Sequence, residues 1–478
     1  MKHNDKSRLC ALATILIVSA VTPLTAQIVK LAPGTDVAAR VAAAPPGTKF
    51  VFSPGIYIGQ QINPKDGDSF TGEGNVILDG AQPLNFRGSG NVWSAPVGVI
   101  TIGKIRCMHD HPLCNIQRDL YLDDKPLMPV ASSDALSVNT WFYDEANGSA
   151  VIGFNPAGHK LEIAVAKTAF NNTGRNVTIS HLIVEKYASI PQFGAVGGQG
   201  SLGNGQGGAQ GWTLTDTEVR FSHGTGIQLS DGATIEHCNI HHNGQKGLGA
   251  RGANVLVENS EIAFNNYAGY DPGWEAGGTK FARTTNLRVL NNYVHDNVGS
   301  GLWTDIDNKN TTYRMNRVEH NAGSGIQHEI SYDALIEQNT VRWNGAPPRI
   351  SLWQAQISVQ NSSNVIVRDN IVIVPPDAGN GIVVINQERG MGDLGTRLGA
   401  NNQIIHNTIT FEGRGGASGL MDASGSATNN HFDNNTYILK AGGEHFENRG
   451  KKTWEQFRAL GNDPNSSLVD LAGKQIKQ

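Results

Sequence analysis

The 478-residue chain carries 38 basic against 42 acidic side chains, with 57 glycines and only 7% aromatic residues. That balance excludes a basic nucleic-acid footprint and a disordered composition, so no nucleic acid is expected and the partner should be neutral or weakly charged. A chain this long outgrows one ordinary core, a limit that folds growing in one dimension escape.

The first residues, MKHNDKSR, are followed by the apolar run LCALATILIVSAV and the small-residue stretch TPLTAQ. Residues 1–26 therefore read as a signal peptide cleaved after Ala26, which predicts a secreted or periplasmic protein. The run is too short for a membrane span and no second one follows, so none is expected. Residues 27–115 read as the start of a strand-built solenoid, with TKFVFSPGIYIGQQI and NVILDGA as short strands bounded by Gly, Pro and Asp. Within them, CMHDHPLC (107–114) brings Cys107 and Cys114 close enough to close a disulfide in an oxidising compartment. A zinc site made of these thiols with His109 and His111 matches no common spacing, and no metal is expected. Residues 116–170 break the pattern: DLYLDDKPLMPVA, TWFYDE, SAVIGFNP and KLEIAVA predict an inserted antiparallel β-sandwich-like module.

Coils resume at NVTISHLIV, and 171–411 repeat. An Asn stands two residues before a β-branched position in NYV (292–294), NRV (316–318), NTV (339–341), NIV (370–372) and NTI (407–409). Cys238, read as an inert core thiol, and Ser260 fill that slot earlier. A second Asn recurs at Asn243, Asn265, Asn297, Asn321 and Asn344. The spacing suits one coil of a parallel β-solenoid and leaves too few residues for crossover helices. Stacked Asn amides can bond to their counterparts above and below. The fold expected is all-β, a right-handed parallel β-helix with the inserted module. Residues 412–478 supply the last coil and a C-terminal helical cap, TWEQFRALG, with Thr453 as N-cap and Gly461 as stop.

Aligned on their glycines and ladders, GLWTDIDN (301–308) and GIQHEIS (325–331) set Asp305 beside Glu329. Leu302, Thr304 and Ile306 then point inward with Ile326, His328 and Ile330. Trp303, Asp305 and Asp307 point outward with Gln327, Glu329 and Ser331, and the preceding coil adds Lys280. Neighbouring strands lie about 4.7–4.9 Å apart, near the ~5–5.5 Å between the carboxyls of retaining glycosidases, while the diagonal Asp307–Glu329 pair falls in the inverting range. Two acids so close should split their pKa values, as a nucleophile and a general acid require. His328 reads as a satisfied inward histidine rather than a base. Insertions 267–278 and 343–354 flank this face with Tyr267, Tyr270, Trp274 and Trp353, which either stack on sugar or pack their loops, and with Glu275, a further acid or a loop cap.

The coil pattern resembles the pectate-lyase-like right-handed β-helices. The insertion together with LWTDIDN and GIQHEIS looks like the β-helix glycoside hydrolases of the family-120 β-xylosidase type. That resemblance implies retaining hydrolysis of a carbohydrate substrate, with the Asp nucleophile at Asp305 or Asp307, the Glu acid/base at Glu329, and no required cofactor. Two other readings stand beside it. A polysaccharide lyase or uronate epimerase would use Lys280 as base and calcium on Asp305, Asp307 and Glu329, although only Arg251 and Lys280 offer plain basic contacts for uronates. A non-catalytic carbohydrate-binding solenoid needs no acid pair.

Overall fold

The computed structural model describes Met1, residues 27–198 and residues 209–476. Apart from Met1, the expected signal peptide lies outside the described residues. From residue 171 on, each coil contributes three short strands. One runs Arg288–Leu290, Tyr293–His295, Leu302–Asp305, and the next repeats it as Lys309–Arg314, Arg317–Glu319, Ile326–Glu329. Every strand pairs in parallel with its counterpart one coil on: Arg288 with Thr312, Tyr293 with Arg317, Leu302 with Ile326. The second row builds a 13-stranded sheet, and the other two rows join in a 24-stranded one.

Alternation in the strands sends every second residue into a single core that extends from Leu31 to Leu468. Leu302, Ile326, Ile357 and Ile382 face one another in successive coils and are completely buried. Each such side chain contributes roughly 1.5–3 kcal/mol. Corners between rows are turned by one left-handed residue. Asn291, Met315, Gln338, Asp369 and His406 have φ of 54–57°, a conformation side chains other than Gly, Asn and Asp seldom adopt unless their surroundings impose it.

What imposes it is the asparagine ladder that follows each corner. Asn292, Asn316, Asn339, Asn370 and Asn407 each donate from Nδ2 to the Oδ1 of the next, ending on Asn435, at 2.9–3.1 Å. Ser260 and Cys238 extend the series through backbone N–H donation to Asn292 Oδ1 and Ser260 Oγ. The second ladder runs Asn243, Asn265, Asn297, Asn321, Asn344 and closes on Gln356. Asn321 also accepts the Asn297 backbone N–H and donates to the Val294 and Glu319 carbonyls. Asn321→Ala therefore orphans several buried groups at once. It should lower unfolding free energy by at least about 2 kcal/mol, read from the denaturant midpoint. The Cys238 thiol is buried, its pKa pushed up to about 12 by that burial, as an inert core position requires.

The inserted module begins earlier than residue 116. The chain leaves the solenoid after Val76–Asp79 and returns to lay Ile183–Glu185 beside that same strand. Between them, Ala81–Pro83, Leu120–Leu122, Lys125–Pro126 and Leu161–Ala164 form one sheet, and Arg87–Ser89, Val92–Pro96, Met128–Val130, Thr140–Asp144 and Ser149–Ile152 another. They enclose their own core around Leu120, Trp141, Ile152 and Ile163. Residues 81–115 belong there, not to the solenoid start. Cys107 and Cys114 are joined in a disulfide. Near the N-terminus an unforeseen helix, Val37–Ala43, is capped by Asp36 and buries Val37 and Val41. At the other end Trp454–Ala459 has Thr453 as N-cap with a full capping box. Trp454 and Phe457 of this helix pack on Phe446. Among the described residues no helix is long and apolar enough to cross a membrane.

Candidate active site

The third strand row presents two lines of outward residues. Register places Lys280 one step before Trp303, followed by Gln327 and Ser358. The neighbouring line runs Ala282, Asp305, Glu329, Gln360. Asp305 thus lies directly beside Glu329, as the motif alignment required. Thr304 and His328 pair on the inner side, where Thr304 Oγ1 and His328 Nδ1 are 2.7 Å apart. Burial depresses the His328 pKa to about 3, so this ring is a neutral core group, not a contact for substrate.

The strands end at Asp305 and Glu329, and the alternation expected beyond them fails. Ile306 and Asp307 turn left-handed, at φ 67° and 55°, and neither Ile306 nor Ile330 joins the core. Ser331 is not outward either: its Oγ accepts from Asn308 Nδ2 in a third ladder that satisfies this corner. Asp307 is drawn sideways, its Oδ2 bound by Arg397 at 3.0 Å and by the Asp393 backbone N–H at 3.2 Å. It anchors the 387–397 loop, and of the two aspartates only Asp305 is the register partner of Glu329.

The two carboxyls differ in surroundings. Asp305 Oδ2 lies 2.9 Å from Lys280 Nζ, and its buried Oδ1 accepts no hydrogen bond from the described residues. Glu329 accepts from Trp303 Nε1 at 3.1 Å, Gln327 Nε2 at 2.9 Å and Arg389 Nη1 at 2.9 Å. Burial and the adjacent Asp305 charge nevertheless outweigh Arg389 and raise the Glu329 pKa. Lys280 sits over the Trp303 ring, 3.8 Å from its centroid, and donates to the Trp274 carbonyl at 2.6 Å. Burial disfavours its charge, but Glu275 and Asp305 prevail and raise its pKa, so it stays an ammonium. Glu275 is fixed between Lys246 and Lys280. Those two cations outweigh its burial and hold its pKa at about 2, which suits an ion-pair anchor and not a proton donor.

A cavity of about 420 Å³ opens over this face, with Trp303, Gln327 and Glu329 among its lining. Its sides come from Pro272, Gly273, Ala346, Trp353 and Gln354 of the two foreseen insertions and from Met108 of the disulfide loop. That loop is pinned to the first insertion by Met108 N to the Gly269 carbonyl at 2.8 Å and by the Arg106–Asp271 pair at 2.8 Å. Trp353 lines the cavity while also packing against the Leu352–Val383 cluster. Tyr270 does not: it is fully buried, and its hydroxyl is 2.8 Å from His223 Nε2. Tyr267 binds Asp119 at 2.7 Å, so both tyrosines clamp the module to the coils. Trp274 contributes its carbonyl to Lys280 and is absent from the cavity wall. Met108, Lys246, Arg389 and Arg397 were not foreseen. A signal for the arginines exists in the spacing, since Asn370 and Asn407 are 37 residues apart, leaving room for the small hairpin Met391–Gly392 and Gly395–Thr396. Lys280, Arg389 and Arg397 each pair with one of the three acids, and the described residues contain no cluster of three or more metal-binding side chains.

The family model described as "Right handed beta helix region" matches residues 202–372. The chain is a right-handed parallel β-helix. No curated protein sequence matches this β-helix. Among solved structures, the complex of XylC with xylose is similar over 91% of this chain and 82% of the other, at 15% identity and a TM-score of 0.66. The A-module of the Azotobacter vinelandii mannuronan C-5 epimerase AlgE4 is similar over 91% and 93%, at 12% identity and a TM-score of 0.49.

Proposed function

We propose that this β-helix is an exported glycoside hydrolase that cleaves a carbohydrate with retention of anomeric configuration. The observation that carries the reading is the adjacent pair Asp305 and Glu329 in unequal environments, one held by a lysine, the other with its pKa raised. Asp305 attacks the anomeric carbon as Glu329 delivers its proton to the departing glycosidic oxygen. The glycosyl ester on Asp305 is then opened by water, whose proton passes to Glu329. Trp353 offers a ring for a sugar, Trp303 an edge of the wall whose ring carries Lys280, and Gln327, Ser300 and Ser358 offer hydrogen-bonding groups along the same cavity. Sugar binding is in keeping with a protein of the same fold, XylC, having been seen with xylose.

The lyase reading needs Lys280 as a base. With its pKa raised by Glu275 and Asp305, Lys280 keeps its proton at neutral pH, which disfavours abstraction. The test is proton NMR of the first product formed from a panel of aryl glycosides and oligosaccharides. A hemiacetal of unchanged anomeric configuration is expected. An inverted product, or an unsaturated uronate, overturns the assignment. Activity should also fall on the alkaline side as Glu329 loses the proton it must donate, with that limb above the usual glutamate range because the folded-state pKa is raised.

A further inference from the structure

Part of the wall of the cavity over Glu329 is carbon that the fold does not use. Met108, Val298, Ala322 and Ala346 line it, are half-buried, and join none of the hydrophobic clusters. Pro272 stands with them. Val298 and Ala322 repeat in register: each follows a ladder asparagine, Asn297 or Asn321, and donates its backbone N–H to an asparagine carbonyl one coil back. They line the cavity where the second and third strand rows meet, while Gln327, Glu329 and Gln360 line it along the third row.

Met108 closes the apolar end. Among the described residues the inserted module reaches the cavity only through this side chain. Its place is fixed several times over: Cys107 is tied to Cys114 and bridged to Tyr270, and Met108 N donates to Gly269. Polar groups near this end are few. Ser300 spends its hydroxyl on Gln327 Oε1 at 2.9 Å, Ser324 is nearly buried, and Gln354 Oε1 is buried with no donor among the described residues.

The acid pair indicates which part of the substrate lies there. Glu329 lines the cavity and Asp305 does not. The proton donor faces the departing oxygen, so the cavity runs from the pair toward the leaving group. The strand Ile326–Glu329 alone spans roughly 10 Å, which sets the corner end beyond the sugar under attack. A second sugar there would bury several hydroxyls against carbon, at a cost for each one left unpaired. An aromatic ring buries carbon on carbon and gains from the Met108 sulfur. A hydroxyl on that ring can donate to Gln354 Oε1.

We propose that the leaving group of the substrate is aromatic, held by Met108, Val298 and Ala322, and that it departs as the free hydroxy compound with the proton of Glu329. This rests on the glycosidase reading and names its substrate class. The experiment titrates the full chain with 4-methylumbelliferone, a planar hydroxy-aromatic that needs no turnover, by saturation-transfer NMR. Saturable binding with a dissociation constant of about 1 mM or tighter is expected for a ligand of this size. Met108→Gln and Val298→Asn, which set amides where carbon was, should each weaken it about fivefold or more. The two lie on separate elements, so a folding defect in one leaves the other to decide. Absence of saturable binding, or binding that both variants leave within about twofold, overturns the aromatic site. The anomeric NMR of the glycoside panel judges the hydrolase separately: if no glycoside is cleaved, that reading falls while the titration still judges this end of the cavity.

Discussion

Asp305→Asn should lower kcat by at least ~10³-fold while leaving the thermal transition nearly in place, because a neutral amide cannot attack an anomeric carbon. The substitution keeps the shape of a side chain that contributes one ion pair, to Lys280, and no core packing. The partner change separates roles. Glu329→Gln should cost roughly 10²–10⁴-fold on substrates with poor leaving groups and much less on activated aryl glycosides, whose leaving oxygen needs no proton. Added azide should then restore part of the lost rate as the β-configured or α-configured azide that matches the starting glycoside. Asp307→Asn serves as the contrast: its partners are Arg397 and the 393 backbone, so its effect should fall on loop order and substrate affinity. If Asp307→Asn were the inactive variant and Asp305→Asn the active one, the assignment of the attacking group would be reversed.

Lys186→Met should be the most damaging change to stability. Lys186 is completely buried where the inserted module meets the coils, with Glu162 at 2.7 Å, Glu185 at 3.2 Å and Asp79 at 3.5 Å, all nearly buried themselves. Removing one partner of such a network leaves uncompensated buried charge, at about 3–5 kcal/mol. The loss should depend on pH. Burial, with Lys186 opposing it, already raises the Asp79 pKa to about 6. A carboxyl whose folded-state pKa is raised contributes stability at low pH and loses it as pH climbs through that value. Without Lys186 the rise is larger, so the variant should come closest to the native protein near pH 5 and fall furthest behind above pH 7. Guanidinium unfolding at the two pH values measures this; equal deficits would mean that packing, and not charge, sets the cost.

The features legible in the sequence are those with a period. Asn316 and Asn321 recur because every coil must satisfy the same corner, so the solenoid, its strand register and the adjacency of Asp305 and Glu329 could all be read by alignment. Features that depend on one event were hidden. The turn at Ile306 and Asp307 breaks the alternation that placed Ser331 outward, and only the Asn308–Ser331 ladder shows why. The module boundary moved from 116 to 81 because Arg87–Ser89 and Val92–Pro96 are short, mostly exposed strands with no apolar stripe. Arg389 reaches Glu329 across 60 positions in sequence, a distance over which no local pattern carries information. Tyr270 could be read either way because composition cannot distinguish a ring over sugar from one sealed against His223.

The hairpin that carries Arg389 and Arg397 has a consequence for how this scaffold can change. It touches Glu329 and Asp307 from outside, yet the strands that hold Asp305 and Glu329 pair only with their own neighbours. Changing the side chains of Arg389 and Arg397 would therefore alter the charge beside Glu329 and Asp307 while Asp305 and Glu329 keep the spacing their strands set. The loop is not independent of the coils, however: buried Asn361 donates to the Gln387 and Arg397 carbonyls and Tyr332 to the Gly395 carbonyl, so any exchange that keeps the coils intact must keep these backbone acceptors in place.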